Sequence, residues 1–178
     1  MLEIRPVTDG DRAWVVEFLE LVWGSVWAAA HGELMDCSRH PGFLARLDGE
    51  RSGLLTYRIE GGDCEVTSLA SLREGRGAGR ALLDAARDRA VAAGCDRLWL
   101  ITTNDNTRAL RVYQRWGMDL VALHRHALRQ SRRLKPSIPE LGNDGIPLDH
   151  ELELELRLQP RSSPHGVRAS GSLTAQDG

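Results

Sequence analysis

The spacing of apolar residues changes period repeatedly along the chain, and each change marks a predicted element. Leu2-Glu3-Ile4-Arg5-Pro6 alternates apolar and polar and then meets proline, which predicts a short first strand. Thr8 and Asp9 offer caps to a segment in which Trp14, Phe18, Leu21 and Val22 recur at helical spacing, and Gly24 supplies a stop. Between Ser25 and Gly42, Trp27, three successive alanines and His31-Gly32 predict a second short helix, with a loop through His40-Pro41-Gly42. Phe43 to Leu47 and Gly53 to Ile59 read as strands joined at Asp48-Gly49. Gly61-Gly62-Asp63 then turns the chain into a third strand, Cys64 to Ser71, completing an antiparallel meander.

Glycines at 75, 77 and 79 open an Ala/Leu/Arg-rich helix with Leu82, Leu83, Ala86 and Ala90 on one face and Gly94 as its stop. Arg97 to Thr103 holds Leu98, Trp99, Leu100 and Ile101 in succession, the pattern of a strand covered on both faces. Strand, helix, strand at this length is a crossover, so Cys64 to Ser71 and Arg97 to Thr103 are expected to be parallel. Asn106 caps a further helix with apolar face Ala109, Tyr113 and Trp116, ended by Gly117, and a strand from Met118 to Leu123 follows. His124 to Lys135 carries five basic residues and no acidic one, and Pro136 to Pro147 has three prolines and two glycines, the composition of a linker or ordered loop, with the basic run from Arg125 to Lys135 expected to be a solvated helix. Asp149 to Leu158 alternates with period two: Leu152, Leu154, Leu156 and Leu158 on one face, and Glu151, Glu153, Glu155 and Arg157 on the other, expected to be a charged outer face on a terminal strand. Residues 160–178 are Pro-, Ser-, Gly- and Ala-rich with little to bury, which predicts a disordered tail behind one domain at 1–159.

With 178 residues, 42% hydrophobic and 27% charged, the chain has room for one domain and enough apolar surface for a real core. A formal charge of −2 and a pI near 6.3 give no global pull toward nucleic acid or an anionic membrane, so anion binding has to be local. No apolar run reaches the roughly 20 residues that span a bilayer, and the start has no signal-peptide pattern, so a cytoplasmic protein is expected. Cys37, Cys64 and Cys95 are odd in number and widely separated, which predicts buried free thiols rather than disulfides or zinc ligands.

Chemistry concentrates at Glu74-Gly75-Arg76-Gly77-Ala78-Gly79, between a strand and a helix, where backbone N–H groups and the helix dipole converge on an anion. Arg80 stands where a dinucleotide fingerprint needs glycine, and no Gly-Lys-Ser/Thr follows, so neither nucleotide-loop motif fits. Arg73, Arg76 and Arg80 flank the glycines. Taken alone, the cluster serves phosphate binding and chain turning equally well.

Together with Glu65-Val66-Thr67-Ser68-Leu69-Ala70 and, about 30 residues after the glycines, Asn106-Thr107-Arg108-Ala109-Leu110-Arg111-Val112-Tyr113-Gln114-Arg115-Trp116-Gly117-Met118, this segment resembles the GNAT superfamily of acyl-CoA-dependent N-acetyltransferases. The segments Arg133 to Pro139 and Gly142 to Pro147 also look like one poorly characterised bacterial branch of it. The resemblance implies an α/β fold: a mixed, mostly antiparallel sheet with splayed parallel central strands, flanked by helices. It implies acetyl-CoA as co-substrate, with the backbone of Leu69, Ala70 and Ser71 on the pantetheine arm and that of Glu74, Gly75, Arg76, Gly77, Ala78 and Gly79 on the pyrophosphate, beside Arg80. Asn106 would lie near the thioester and Tyr113 would protonate the departing thiolate. Glu65 matches the strand glutamate that serves as base in the histone acetyltransferase branch, with His31, His124 and His126 as further candidates. Transfer would be direct, with no metal, to a primary amine on a small molecule or a protein, and Trp14, Trp23, Trp27 and His31 would fall on the acceptor side. Nucleic acid and membrane are not expected as partners, and homodimerisation is left open. The sequence departs from the family at Glu74, where Arg or Gln usually leads the loop, in a strand-to-loop connection about two residues short, and at Met118, where phenylalanine is frequent. A noncatalytic acyl-CoA sensor and a regulatory domain for another nucleotide are the competing readings.

Overall fold

The computed structural model describes residues 1–73 and 75–158; Glu74 and residues 159–178, where the expected tail and domain boundary fall, lie outside the described residues. The chain opens with β1 (Leu2–Pro6), a 3-10 turn at Asp9–Asp11 and α1 (Arg12–Trp23), then a hairpin of β2 (Trp27–Ala30) and β3 (Glu33–Asp36). The meander β4 (Gly42–Leu47), β5 (Glu50–Glu60) and β6 (Asp63–Ser71) follows. After it come α2 (Ala78–Ala92), β7 (Arg97–Thr103), α3 (Thr107–Trp116), β8 (Asp119–His124), α4 (Ala127–Leu134) and β9 (Glu151–Arg157). One sheet runs β1-β4-β5-β6-β7-β9-β8, every neighbour antiparallel except β6 and β7. This is the mixed, mostly antiparallel architecture that the resemblance implies.

The helical periodicities land where packing needs them. Leu82, Leu83, Ala86 and Ala90 of α2 are fully buried against one sheet face, in a core with Ala45, Leu55, Leu98, Leu100 and Leu154. Each leucine so buried contributes about 1.5–3 kcal/mol of apolar transfer. On the opposite face Val15, Phe18 and Leu19 of α1 pack with Cys37 and Leu54. The start of α1 is tied down by Asp11, whose buried carboxylate accepts from Arg5 (2.7 and 2.8 Å), from the Thr8 hydroxyl (2.7 Å) and from the Thr8 N–H (3.0 Å). The three cysteines are buried and free, as expected.

The feature that positions the site is where the parallel pair stops. β6 and β7 are in register from Asp63↔Arg97 to Val66↔Leu100 and no further. Beyond that point β6 stays with β5 as far as Ser71↔Gly53, and β7 stays with β9 as far as Thr103↔Glu151, so the two strands part. A bulge sits at the fork: Tyr57 faces Val66 but Thr56 faces Ser68, leaving Thr67 as the extra residue. The bulge breaks the simple alternation that would put Glu65, Thr67, Leu69 and Ser71 on one face.

Three expectations are corrected. The segment read as a second helix is the β2–β3 hairpin, turning at His31-Gly32 with both residues at positive φ (38° and 81°). The basic run is helical as expected, as α4, but it is not merely solvated and braces the loop behind it: Arg129 pairs with Asp149 (3.0 Å), Arg132 donates to the carbonyls of Pro139 and Leu148, and Lys135 Nζ donates to the Trp27 carbonyl (2.7 Å). Finally, β9 is inserted between β7 and β8, so its glutamate face is covered rather than solvated; Glu151 is 1% exposed and Glu155 8%. Glu153 and Glu155 are neutralised there by Arg97 (2.8 and 2.9 Å).

Candidate active site

The fork between β6 and β7 opens into a cavity of about 1030 Å³. That is at the top of the ~300–1,000 Å³ range of small-molecule sites, a size for an extended ligand. One half lies toward α2 and α3, bordered by Gly75, Gly77, Gly79, Asn106 and Tyr113; the other is covered by the β2–β3 hairpin, α4 and residues 135–139. The wall between them is β6 from Glu65 to Ser71 and β7 from Leu100 to Thr103, strand edges whose N–H and C=O groups have lost each other as partners.

In the first half, the helix mouth has the backbone form of an anion cradle. Gly75 (φ 71°) and Gly77 (φ 83°) take conformations that favour glycine, and Gly77 caps the fifteen-residue α2. Gly79 has an ordinary φ, and a Cβ built on it would meet no protein atom within 4 Å. The fold therefore does not require glycine at 79, whereas a ligand approaching the backbone of the first helical turn does. Arg73, Arg80, Arg108 and Arg115 border the same end. A pyrophosphate fits this donor set, and the unpaired strand edges suit the amides of a pantetheine arm. Leu69, Ala70, Ser71, Ala78, Asn106 and Tyr113 all line the cavity; Arg76 is exposed and off the wall. Asn106 caps α3, accepting from the Ala109 N–H at 3.2 Å. Tyr113 is nine-tenths buried, its hydroxyl makes no hydrogen bond within the described residues, and burial pushes its phenol up to about 12.

In the second half, the tip of the hairpin holds two buried glutamates. Glu65, 3% exposed, accepts from His31 Nε2 at 2.9 Å and from Arg58 Nε at 2.6 Å, and Arg58 also pairs with Glu33 at 2.8 Å. The hydrogen bond that His31 donates to Glu65 holds its imidazole above the ordinary 6.5, against the opposing effect of desolvation. The same residue turns its backbone N–H to Glu151 at 2.9 Å, and Ser131 donates to the other oxygen of Glu151 at 3.0 Å. The left-handed backbone of His31 is what lets one residue reach both carboxylates. Glu65 and Glu151 both border the cavity, and Glu65 also borders a recess of about 140 Å³ beside Arg58 and Trp99. At the bulge, Thr67 Oγ1 is fixed by Thr56 Oγ1 and His40 Nδ1, each at 2.9 Å.

Not every candidate converges here. His124 pairs with Glu153 (3.0 Å) and His126 with Asp149, both off the cavity wall. Trp23 and Trp27 line the acceptor half, but Trp14 packs on Phe18 in the core, ring centroids 4.8 Å apart. His126, Asp149 and His150 bring potential metal ligands within 4.8 Å of one another, yet the guanidinium of Arg129 already holds Asp149. Arg58, Glu33 and Ser131 were not singled out from the sequence. Arg58 alternates in β5 like any exposed strand residue, and nothing local ties residue 131 to residue 151.

Comparison with known proteins places this geometry. The chain is 38% identical over 153 residues to the uncharacterized protein YdhI of Bacillus subtilis (strain 168), covering 85% of this chain and 96% of that one. An IAA acetyltransferase from Bacillus cereus superposes with a TM-score of 0.69 at 18% identity, covering 89% of this chain and all of that one. A Bacillus subtilis acetyltransferase in complex with CoA does so with a TM-score of 0.64 at 17% identity, over the same shares. At such identities these two structures share the fold alone. The family described as acetyltransferase (GNAT) matches residues 12–118, a stretch that takes in the glycine cradle, the forked strands and the Tyr113 helix. With more than half of its length inside that match and the fork and cradle both built, the chain belongs to the GNAT family of acetyltransferases.

Proposed function

We propose that this protein transfers an acetyl group from acetyl-CoA directly to a primary amine, and that the unpaired fork leading from the glycine cradle to Glu65 carries the reading. Acetyl-CoA lies along the fork, with pyrophosphate on the backbone of residues 74–79 beside Arg80, pantetheine along Leu69, Ala70 and Ser71, and the thioester near Asn106 and Tyr113. The amine lone pair attacks the thioester carbonyl carbon; the C–N bond forms while the carbonyl electrons move to oxygen, where N–H groups of the β6 edge receive them. Glu65 takes the proton lost by nitrogen and shares it with His31 through their hydrogen bond. Collapse breaks the C–S bond and leaves a thiolate within reach of Tyr113.

The magnitudes define what Tyr113 does. A phenol at about 12 is a weaker acid than a thiol near 8.5, so complete proton transfer to the thiolate is uphill. Tyr113 therefore acts by donating a strong hydrogen bond to sulfur as charge develops there, completing the transfer only as the proton is replaced. The acceptor class, a cytoplasmic location, the unit boundary at residue 159 and a metal-free reaction belong to this proposal. Among the described residues no helix is long and apolar enough to cross a membrane.

The deciding experiment measures free thiol on mixing acetyl-CoA with a panel of amines, alongside calorimetry with acetyl-CoA and ATP. Amine-dependent thiol release with acetyl-CoA bound in preference to ATP is expected. Binding without release would make the protein a sensor, and preference for ATP would remove the acyl-CoA reading altogether.

A further inference from the structure

Glu151 differs from every other glutamate around the cavity in what neutralises it. The residue is 1% exposed and lines the cavity, and both donors to its carboxylate are uncharged: the His31 backbone N–H and the Ser131 hydroxyl. Among the described residues it has no ion-pair partner, whereas Glu65 and Glu33 share Arg58, and Glu153 and Glu155 share Arg97. Lys135 borders the same half of the cavity, but its ammonium is bound to the Trp27 carbonyl; the His31 imidazole is hydrogen-bonded to Glu65 and feels Glu151 only through space, as the smallest of the causes acting on its raised pKa. A buried charge whose hydrogen bonds both come from neutral donors is expensive, and a glutamine could keep both contacts without that expense, its amide oxygen accepting from the His31 N–H and its amide nitrogen donating to the Ser131 hydroxyl. The negative charge is therefore not there for the fold.

The counter-charge has to come from the ligand, and the reacting nitrogen does not supply it. That nitrogen attacks only as a neutral amine, and Glu65 is the group placed to take its proton. Glu151 has no relay partner and suits a nitrogen that stays charged. Resting on the acyltransfer reading above, we infer that the acceptor is a small dication, an aliphatic amine with a second ammonium or guanidinium group, and that Glu151 binds this second group. Glu65 and Glu151 both line the acceptor half, and the Arg58 guanidinium, shared between Glu65 and Glu33, leaves Glu151 to the ligand. Leu128 and Leu148, both buried, line the cavity together with Glu151 and offer apolar surface to an alkyl chain.

The test compares butylamine with the matched terminal diamine as acceptors, in wild type and Glu151→Gln. In wild type, kcat/KM for the diamine is expected to exceed that for the monoamine by about 30-fold or more, the scale of a desolvated charge pair. Glu151→Gln should reduce the advantage to about threefold or less, mainly through KM, while its melting midpoint stays equal to or above that of wild type. A merely structural Glu151 would give the reverse, a lower midpoint and an unchanged ratio, and either result overturns the assignment, as does equal use of both amines by wild type. If no amine releases thiol, titration of the diamine into the CoA-bound protein separates the two ideas. Binding lost in Glu151→Gln upholds the cation site while the transferase reading falls, and no binding to wild type removes the site.

Discussion

Tyr113 and Glu65 approach the same cavity from opposite faces of the sheet, and their surroundings treat them differently. Tyr113 sits in the core with Leu98 and Leu100 and keeps its proton because burial disfavours the phenolate. Tyr113→Phe should lower kcat about 100-fold while leaving the calorimetric Kd for acetyl-CoA within a few-fold, since the hydroxyl matters only once charge reaches sulfur. Unchanged kcat would strip it of that role. Glu65 instead lifts His31, so the His31–Glu65 pair gains a proton at a higher pH than a free imidazole would. Acceptor turnover should fall as pH drops through the raised His31 value, with the limb lying above 6.5. In Glu65→Gln, NMR titration should find the His31 midpoint moved down, because the first cause of its elevation is gone while desolvation remains. The linked stability has a definite sign: with the folded value raised, protonated His31 stabilises the fold below about 6.5, and this is lost as pH rises through the folded value. Tyr113 was legible in the sequence because Asn106, Ala109 and Gly117 surround it at local helical spacing. The link from His31 to Glu151 was not, because it joins residues 120 positions apart through a backbone N–H.

At the scale of elements, legibility followed how many residues vote. α2 and α3 were read correctly because several turns repeat one periodicity and a glycine stops each of them. The β2–β3 hairpin was misread because Trp27 to Ala30 is four residues long and three are alanine, the best helix former; pairing with Leu34 and Met35 outvotes a propensity difference of a few tenths of a kcal/mol per residue. In β9 the alternation was seen, but alternation says that two faces differ, not which neighbour covers them. Arg97 and Ser131 turned an outer face into an inner one. The α2 cradle gives this scale its prediction. Gly79→Leu places a better helix former at a position of ordinary φ where the added Cβ meets no protein atom within 4 Å, so thermal stability should be kept or slightly raised. Calorimetry should nonetheless show acetyl-CoA affinity reduced at least 10-fold, as the side chain occupies the space against the helix mouth. Full affinity in this variant would mean that the pyrophosphate lies elsewhere.

Considered whole, the molecule is two half-sheets, β1-β4-β5-β6 and β7-β9-β8, joined along four register pairs from Asp63↔Arg97 to Val66↔Leu100. Past the fork they are held by side contacts: Lys135 on Trp27 and His31 on Glu151 bridge the hairpin to the second half, while Arg97 on Asp63 (2.7 Å) closes the zipped end. A ligand lying in the fork touches both halves and so resists their separation, which binding to a single half would not do. At a concentration 100 times its Kd, a ligand bound only to the folded state adds about 2.7 kcal/mol. For a domain of this size that is a rise of about 5–10 °C in the melting midpoint. Acetyl-CoA is expected to produce that rise and ATP a much smaller one. Hydrogen exchange locates the effect, with slowing concentrated in Thr67–Ser71 and Ile101–Thr103, the two edges without a strand partner across the fork, and little change in β1 and β4. Protection confined to the mouth of α2, with both edges exchanging as before, would mean that the ligand binds by its phosphates alone and that the fork does not hold the thioester.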